Sequence, residues 1–212
     1  MSASFKVMAC FAGLTLLLAG CGGDGGSGGL SNPDPGNNDV NVVVCFGDSI
    51  TKGSECACAP YPARLAALIG KTVANCGISG SRATLSVGRT QSAIDKYHPG
   101  FMVILYGIND LIMGEGIDSV IGALDAMIET CKNNNVVPVI MTYSKPITGH
   151  VIFSGRTLRL NAQIRSMADT KGIRCVDLET EFADNADWYE RDGLHPNNAG
   201  TDAIALAVAD LF

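Results

Sequence analysis

The sequence predicts an α/β protein: a parallel five-stranded sheet covered by helices on both faces. Two observations predict it. Short apolar runs alternate five times along the chain with segments whose apolar residues recur at helical spacing. The runs are continuously apolar rather than alternating with polar residues, as strands buried on both faces must be.

The first strand spans Val40 to Phe46 and is rich in β-branched residues. Pro62 to Ile69 has helical spacing and stops at Gly70, a residue suited to the left-handed turn after a helix. Thr72 to Cys76 is a second, short strand. A helix over Ser92 to Tyr97 is stopped by Pro99-Gly100. Phe101 to Tyr106, apolar throughout, is the third strand. Val120 to Cys131 is helical, with Ile121, Leu124 and Ile128 on one face. Val136 to Thr142 is the fourth strand. Leu158 to Ala168 carries Leu160, Ile164 and Met167 on one helical face. Ile173 to Val176 is the fifth strand, and Ala199 to Leu211 a closing helix. Ligands of open parallel sheets bind at the carboxyl ends of the strands. Ser49, Gly80 and Asn109 follow strands one, two and three, so element order alone puts them on one edge.

The chain has 212 residues, and residues 40–212 suffice for one domain with a single core. Met1 to Ala19 has the form of an export signal: one early cation, Lys6, then an apolar stretch from Val7 to Leu18. That stretch is shorter than the ~20 apolar residues that span a bilayer. Leu18-Ala19-Gly20-Cys21 resembles the lipobox of bacterial lipoproteins, which implies cleavage before Cys21 and lipidation of that cysteine. The expected division is a signal at 1–20, a lipidated cysteine and flexible linker at 21–39, and a folded domain at 40–212. Gly22 to Asp39 is glycine-rich, then rich in Asn, Asp and Pro, and is expected to stay solvated as a tether. Gly22 in place of Asp after the cysteine implies, by the same resemblance, the outer membrane of a bacterial cell envelope. The formal net charge is −6, and loss of Lys6 leaves −7. No basic patch remains to track phosphates, so a nucleic-acid partner is not expected.

Gly47-Asp48-Ser49-Ile50 presents a serine hydroxyl at the end of the first strand. A free hydroxyl is a poor nucleophile at neutral pH and needs a base. Of the three histidines, His98 lies at a helix end and His150 in a polar loop, and neither has a nearby acid to orient it. Both are expected on the surface. His195 has Asp192 three residues upstream, in Asp192-Gly193-Leu194-His195-Pro196. That spacing lets the carboxylate accept from Nδ1 and leaves Nε2 for the serine. An oxyanion needs donors, and Gly80, the Asn109 amide and the Ser49 N–H are candidates. Read singly, each is equally a turn or cap residue.

Four segments, Gly47-Asp48-Ser49-Ile50, Asn75-Cys76-Gly77-Ile78-Ser79-Gly80, Gly107-Ile108-Asn109-Asp110 and Asp192-Gly193-Leu194-His195-Pro196, resemble in order the four blocks of the SGNH (GDSL-type) hydrolases. The resemblance covers residues 42 to 212. It implies a flavodoxin-like three-layer α/β/α sandwich with strand order 2-1-3-4-5. It implies ester hydrolysis without a metal or cofactor. By block matching, Ser49 is the nucleophile, His195 the base and Asp192 its orienting acid, with Ser49, Gly80 and Asn109 forming the oxyanion hole. The sharp Gly-x-Ser-x-Gly elbow of α/β-hydrolases is not found at Ser49.

The expected substrate is an ester of a short acyl group, acetyl on carbohydrate, since no long apolar lid insertion is visible. The alternatives are a lysophospholipase or thioesterase acting on longer chains, and a surface lipoprotein that binds glycan without turnover. Six cysteines remain after Cys10 and Cys21: Cys45, Cys56, Cys58, Cys76, Cys131 and Cys175. Export makes disulfides possible. Cys45 reads as a buried strand residue. Cys56 or Cys58 is expected to reach Cys76, and Cys131 to pair with Cys175. Cys56-Ala57-Cys58 lacks a second Cys/His pair at zinc spacing, so no metal is expected. Trp188 and Tyr189 either wall the substrate site or pack the loop.

Overall fold

A computed structural model describes residues 29–183 and 185–212. The expected signal peptide and the lipidation of Cys21 lie outside these residues. Among the described residues no helix is long and apolar enough to cross a membrane.

Five strands form one sheet: β1 (Asp39–Gly47), β2 (Thr72–Asn75), β3 (Pro99–Leu105), β4 (Val137–Met141) and β5 (Arg174–Val176). All pairings are parallel and the order is β2-β1-β3-β4-β5. The helices are α1 (Ser49–Lys52), α2 (Tyr61–Ile69), α3 (Ala83–Tyr97), α4 (Ile108–Ile112), α5 (Ile117–Asn133), α6 (Ser154–Lys171), α7 (Leu178–Phe182) and α8 (Asn198–Ala209). Strand periodicity sends alternate side chains to opposite faces. Val44 and Phe46 of β1, with Met102 and Ile104 of β3, pack toward α3, α5 and α6. Val43, Cys45, Val103 and Leu105 of the same strands pack toward α2 and α8. All eight are fully buried, and burying such side chains contributes on the order of 1.5–3 kcal/mol each. The result is the three-layer sandwich and strand order that the sequence led us to expect.

Three expectations change. The helix expected from Ser92 starts at Ala83. Its buried residues are Ala83, Ser86, Thr90, Ala93 and Ile94, so its inward face is small and polar in the first turns and carries no apolar periodicity.

The linker expected to be solvated is docked over residues 29–38. The Asn32 amide donates to the carbonyls of Gly100 and Asn135 at 3.0 and 2.8 Å. The Asn38 amide donates to Asn134 O at 2.7 Å, and Leu30 N–H donates to Leu211 O at 2.5 Å. Asparagines that suggested a disordered tether instead satisfy the exposed carbonyls at the amino edge of the sheet.

The cysteine pairing also differs. Cys56 bonds to Cys58 within one loop, and Cys45, Cys76, Cys131 and Cys175 are free. Cys76 packs with the α3 layer, whereas the loop carrying Cys58 runs on the opposite side, with Cys58 Sγ 3.8 Å from Thr201 Oγ1 of α8. The sheet separates them. Cys131 Sγ lies 3.6 Å from Met102 Sδ inside the core, and burial pushes its thiol up to about 12. Such a thiol packs as a small hydrophobe and does not react.

Candidate active site

β1 ends at Gly47, and Asp48 caps the one-turn helix α1 by accepting from the Ile50 N–H at 3.0 Å. This turn places Ser49 first in α1, at the carboxyl end of β1. Ser49 Oγ lies 2.8 Å from His195 Nε2, and His195 Nδ1 lies 2.5 Å from Asp192 Oδ2. The other carboxylate oxygen, Asp192 Oδ1, accepts from the backbone N–H groups of Leu194 and His195 at 3.0 and 3.1 Å. Partial burial pushes the Asp192 carboxyl up. The bonds from the His195 ring and those two N–H groups outweigh it and hold the carboxyl below its usual range. An ionised acid at Nδ1 fixes the ring tautomer that leaves Nε2 free to accept the serine proton. The spacing of three residues works because the Asp192–His195 turn folds the carboxylate back on its own backbone.

The Asp192–His195 turn is clamped from outside. Ile147 N–H donates to Gly193 O at 2.8 Å, and Glu190 N–H to His195 O at 2.8 Å. Gly193 has φ +69°, and a Cβ there would overlap the Ile147 carbonyl oxygen. His150 is part of this clamp rather than a free surface residue: its Nδ1–H donates to Asp192 O at 2.8 Å. Neither Trp188 nor Tyr189 is shown walling a substrate site. Both stack edge-on against Phe182, and the Tyr189 hydroxyl donates to Lys145 O at 2.9 Å.

Asn109 lies in α4 and its amide ties the remaining pieces together. Nδ2 donates to Ser81 O at 3.1 Å and to Asp48 Oδ2 at 3.4 Å, the neighbours of Gly80 and Ser49. Gly80 has φ +70° and nothing within 4 Å of where a Cβ would stand, so it faces open space. The Ser49 N–H is first in α1 and has no intrahelical acceptor. Through these bonds Asn109 joins the turn that carries Gly80 to the residue before Ser49. Ser54 Oγ and Ser79 Oγ, 2.6 Å apart, join the loops that follow β1 and β2 there.

Beneath them lies a group that sequence reasoning missed. Asp48 is fully buried, and its Oδ2 accepts from the Tyr143 hydroxyl at 2.6 Å. Burial pushes its carboxyl up to about 6, against the opposing pull of Tyr143, the Ile50 N–H and His195. Tyr143 is held by Asn161 of α6, which accepts from its N–H at 2.9 Å and donates to its carbonyl at 2.7 Å. The cap role of Asp48 was readable from an acid between a strand and a helical turn; its bond to Tyr143, 95 residues away, was not. Among the described residues, no three His, Cys, Asp or Glu side chains gather to hold a metal ion.

A serine hydroxyl, an imidazole and a carboxylate hydrogen-bonded in series at a strand end are an arrangement suited to acyl transfer. The sequence profile of the GDSL-like lipase/acylhydrolase family matches residues 45–203. The chain belongs to that family. Its members hydrolyse esters, and so this GDSL-like protein is a carboxylic ester hydrolase. Among proteins of curated function, none is similar in sequence at a significant level. Solved structures share the fold. A lipolytic GDSL-family protein from Veillonella parvula superposes with TM-score 0.71 at 20% identity, covering 81% of this chain and 97% of that one. A GDSL-like lipase from Bacteroides thetaiotaomicron gives 0.66 at 21% identity, covering 84% and 89%. An acetyl esterase solved with an acetate ion gives 0.65 at 18% identity, covering 79% and 94%.

Proposed function

We propose that this GDSL-like hydrolase cleaves short-acyl esters, with acetylated carbohydrate the substrate class, through a Ser49–His195–Asp192 triad. The relay from Ser49 Oγ through the His195 ring to Asp192 is the observation that carries the reading. Ser49 Oγ attacks the ester carbonyl while His195 Nε2 takes its proton. The Ser49 and Gly80 N–H groups and the Asn109 amide face the developing oxyanion, for which Asn109 exchanges its long bond to Asp48. The C–O bond to the alcohol breaks, and His195 returns the proton to the departing oxygen. Water, deprotonated by the same ring, then attacks the acyl-enzyme, and the acid and free serine are released.

Support for a short acyl group comes from the acetyl esterase among the structurally similar proteins. Ser49→Ala is expected to lower kcat by about 10⁴–10⁶ on p-nitrophenyl acetate and to abolish fluorophosphonate labelling. Turnover equal to the parent would remove Ser49 from the mechanism. A p-nitrophenyl ester series from acetate to laurate is expected to peak at the shortest chains, and a peak at laurate would point to lipid substrates.

We further propose that Cys21 carries lipid and tethers the enzyme to the cell envelope, on the support of Leu18-Ala19-Gly20-Cys21. Mass spectrometry of the mature amino terminus tests it: an unmodified Cys21 is the contrary result.

A further inference from the structure

We infer that the cleft between residues 56–58 and residues 190 and 197–199 receives the sugar half of the ester, with the Glu190 carboxylate and the Asn198 amide as its recognition groups. The inference rests on the triad reading above and adds to it a site and a ligand class.

His195 Nε2 must reach the departing alcohol oxygen to protonate it, so the alcohol half lies on the His195 side of Ser49, away from the oxyanion donors. The chain on that side builds a cleft of about 580 Å³, within the ~300–1,000 Å³ of small-ligand sites. Both walls are extensions of the catalytic segments. One wall is the loop after the nucleophile, whose Ser54 N–H donates to Ser49 O at 3.0 Å and which the Cys56–Cys58 bridge closes on itself. The other is the base segment: Glu190 N–H donates to His195 O, and Asn197 to Ala199 follow His195 directly into α8.

The lining then selects the ligand. No Lys or Arg lines the cleft, which disfavours a phosphate headgroup, and its apolar contributions are the Ala57 and Ala199 methyls and the disulfide, too little for an alkyl chain. Its polar groups suit hydroxyls. Among the described residues the Glu190 carboxylate has no partner and can accept from two neighbouring hydroxyls. Asn198 Oδ1 accepts from Arg64 Nη2 at 2.8 Å, which fixes the amide and leaves Nδ2 free to donate. Arg64 is itself held by Ala59 O at 2.9 Å and by Asp202. The Asn197 amide is spent on structure, donating to Asp187 O and Tyr189 O and capping α8.

The test compares kcat/KM of the full-length protein on O-acetylated xylotriose and on p-nitrophenyl acetate, which has no sugar. Glu190→Ala and Asn198→Ala are each expected to raise KM for the acetylated trisaccharide about tenfold, lowering its preference over p-nitrophenyl acetate by the same factor. Glu190→Gln, which keeps an acceptor oxygen, is expected to recover part of that loss. Turnover of p-nitrophenyl acetate by the variants reports that they fold and that the triad is assembled. Equal losses on both substrates, or an unchanged preference, would overturn the assignment. So would a parent enzyme that prefers acetylcholine, because Glu190 would then be reading a cation. A parent that cleaves p-nitrophenyl acetate but not the acetylated trisaccharide refutes the sugar site and leaves the esterase reading standing. Full activity of Ser49→Ala refutes the esterase mechanism, and this inference falls with it.

Discussion

Asp48 and Asp192 are two carboxylates near one histidine, and their surroundings drive them in opposite directions. Asp192 is tied to His195 and two backbone N–H groups and is held low. Its stabilising contribution is present above the ordinary carboxylate range and is lost only as pH falls below it. Asp192→Asn keeps the shape but offers Nδ1 an amide, so kcat is expected to fall about 10²–10⁴-fold with little change in KM; a pre-steady-state burst of p-nitrophenol would show whether acylation is the slowed step. Asp48 is buried and its carboxyl is raised from 3.8 to about 6. Its protonated form is favoured in the fold, so its contribution is complete below about pH 4 and is lost as pH rises through 6. At neutral pH the buried charge costs on the order of 2 kcal/mol relative to pH 4. Urea titrations of the parent and Asp48→Asn at pH 4 and pH 7 isolate this term. The parent should lose about 2 kcal/mol relative to the variant between the two pH values, and a constant difference would mean that Asp48 does not titrate in this window. The charge is retained where Asn109 needs an acceptor, which is a reason for a fold to carry this cost.

At the scale of elements, the site is assembled by turns and helix ends that bond across long stretches of chain. Asp110 is the plainest case. It follows the proposed oxyanion residue, yet its carboxylate is fully buried and serves α3, accepting from Ala83 N, Thr84 N and Thr84 Oγ1 at 2.7, 3.0 and 2.8 Å. Arg82, at the cap position of that helix, makes no side-chain cap bond. The start of α3 was therefore illegible in the sequence: its cap lies 27 residues downstream and its buried face begins with alanine, serine and threonine. The strands were legible, because continuous apolar runs have few other uses in a chain of this size. Asp110→Ala is expected to destabilise the protein by about 2 kcal/mol through loss of the cap, read as a lower urea midpoint with an unchanged slope. The Asp192–His195 turn makes the complementary case, since its failure should appear in catalysis first. Gly193→Ala forces a Cβ against the Ile147 carbonyl at a left-handed φ, where strain costs about 1–3 kcal/mol. Fluorophosphonate labelling of Ser49 is expected to slow at least tenfold, and labelling at the parent rate would show that the turn relaxes without moving His195.

Over the whole molecule, the sheet separates stability from chemistry. Strand order brought Ser49, Gly80 and Asn109 to the carboxyl edge, and that much followed from the sequence of elements alone. What the sequence could not display was the opposite edge. Residues 29–38 have the composition of a free tether, and composition says nothing about which carbonyls are left open elsewhere. Here the ends of β3 and α5 leave the carbonyls of Gly100, Asn134 and Asn135 exposed, and Asn32 and Asn38 fill them. Leu30 at the same time pairs with Leu211, near the edge-on contact of Phe212 with Phe101. The amino-terminal segment thus latches the start of β3 and the turn after α5 to the chain that follows the last helix. Each such bond contributes about 0.5–1.5 kcal/mol net, and for a domain of this size 1 kcal/mol moves Tm by about 2–4 °C. A chain beginning at residue 39 is therefore expected to melt about 4–8 °C below one beginning at residue 29. Its kcat/KM on p-nitrophenyl acetate should match that of the longer chain, because the latch and the triad occupy opposite ends of the strands. Equal melting temperatures by differential scanning calorimetry would mean that residues 29–38 behave as the tether their composition suggests. A parallel fall in kcat/KM at temperatures well below melting would mean that the two edges of the sheet are coupled.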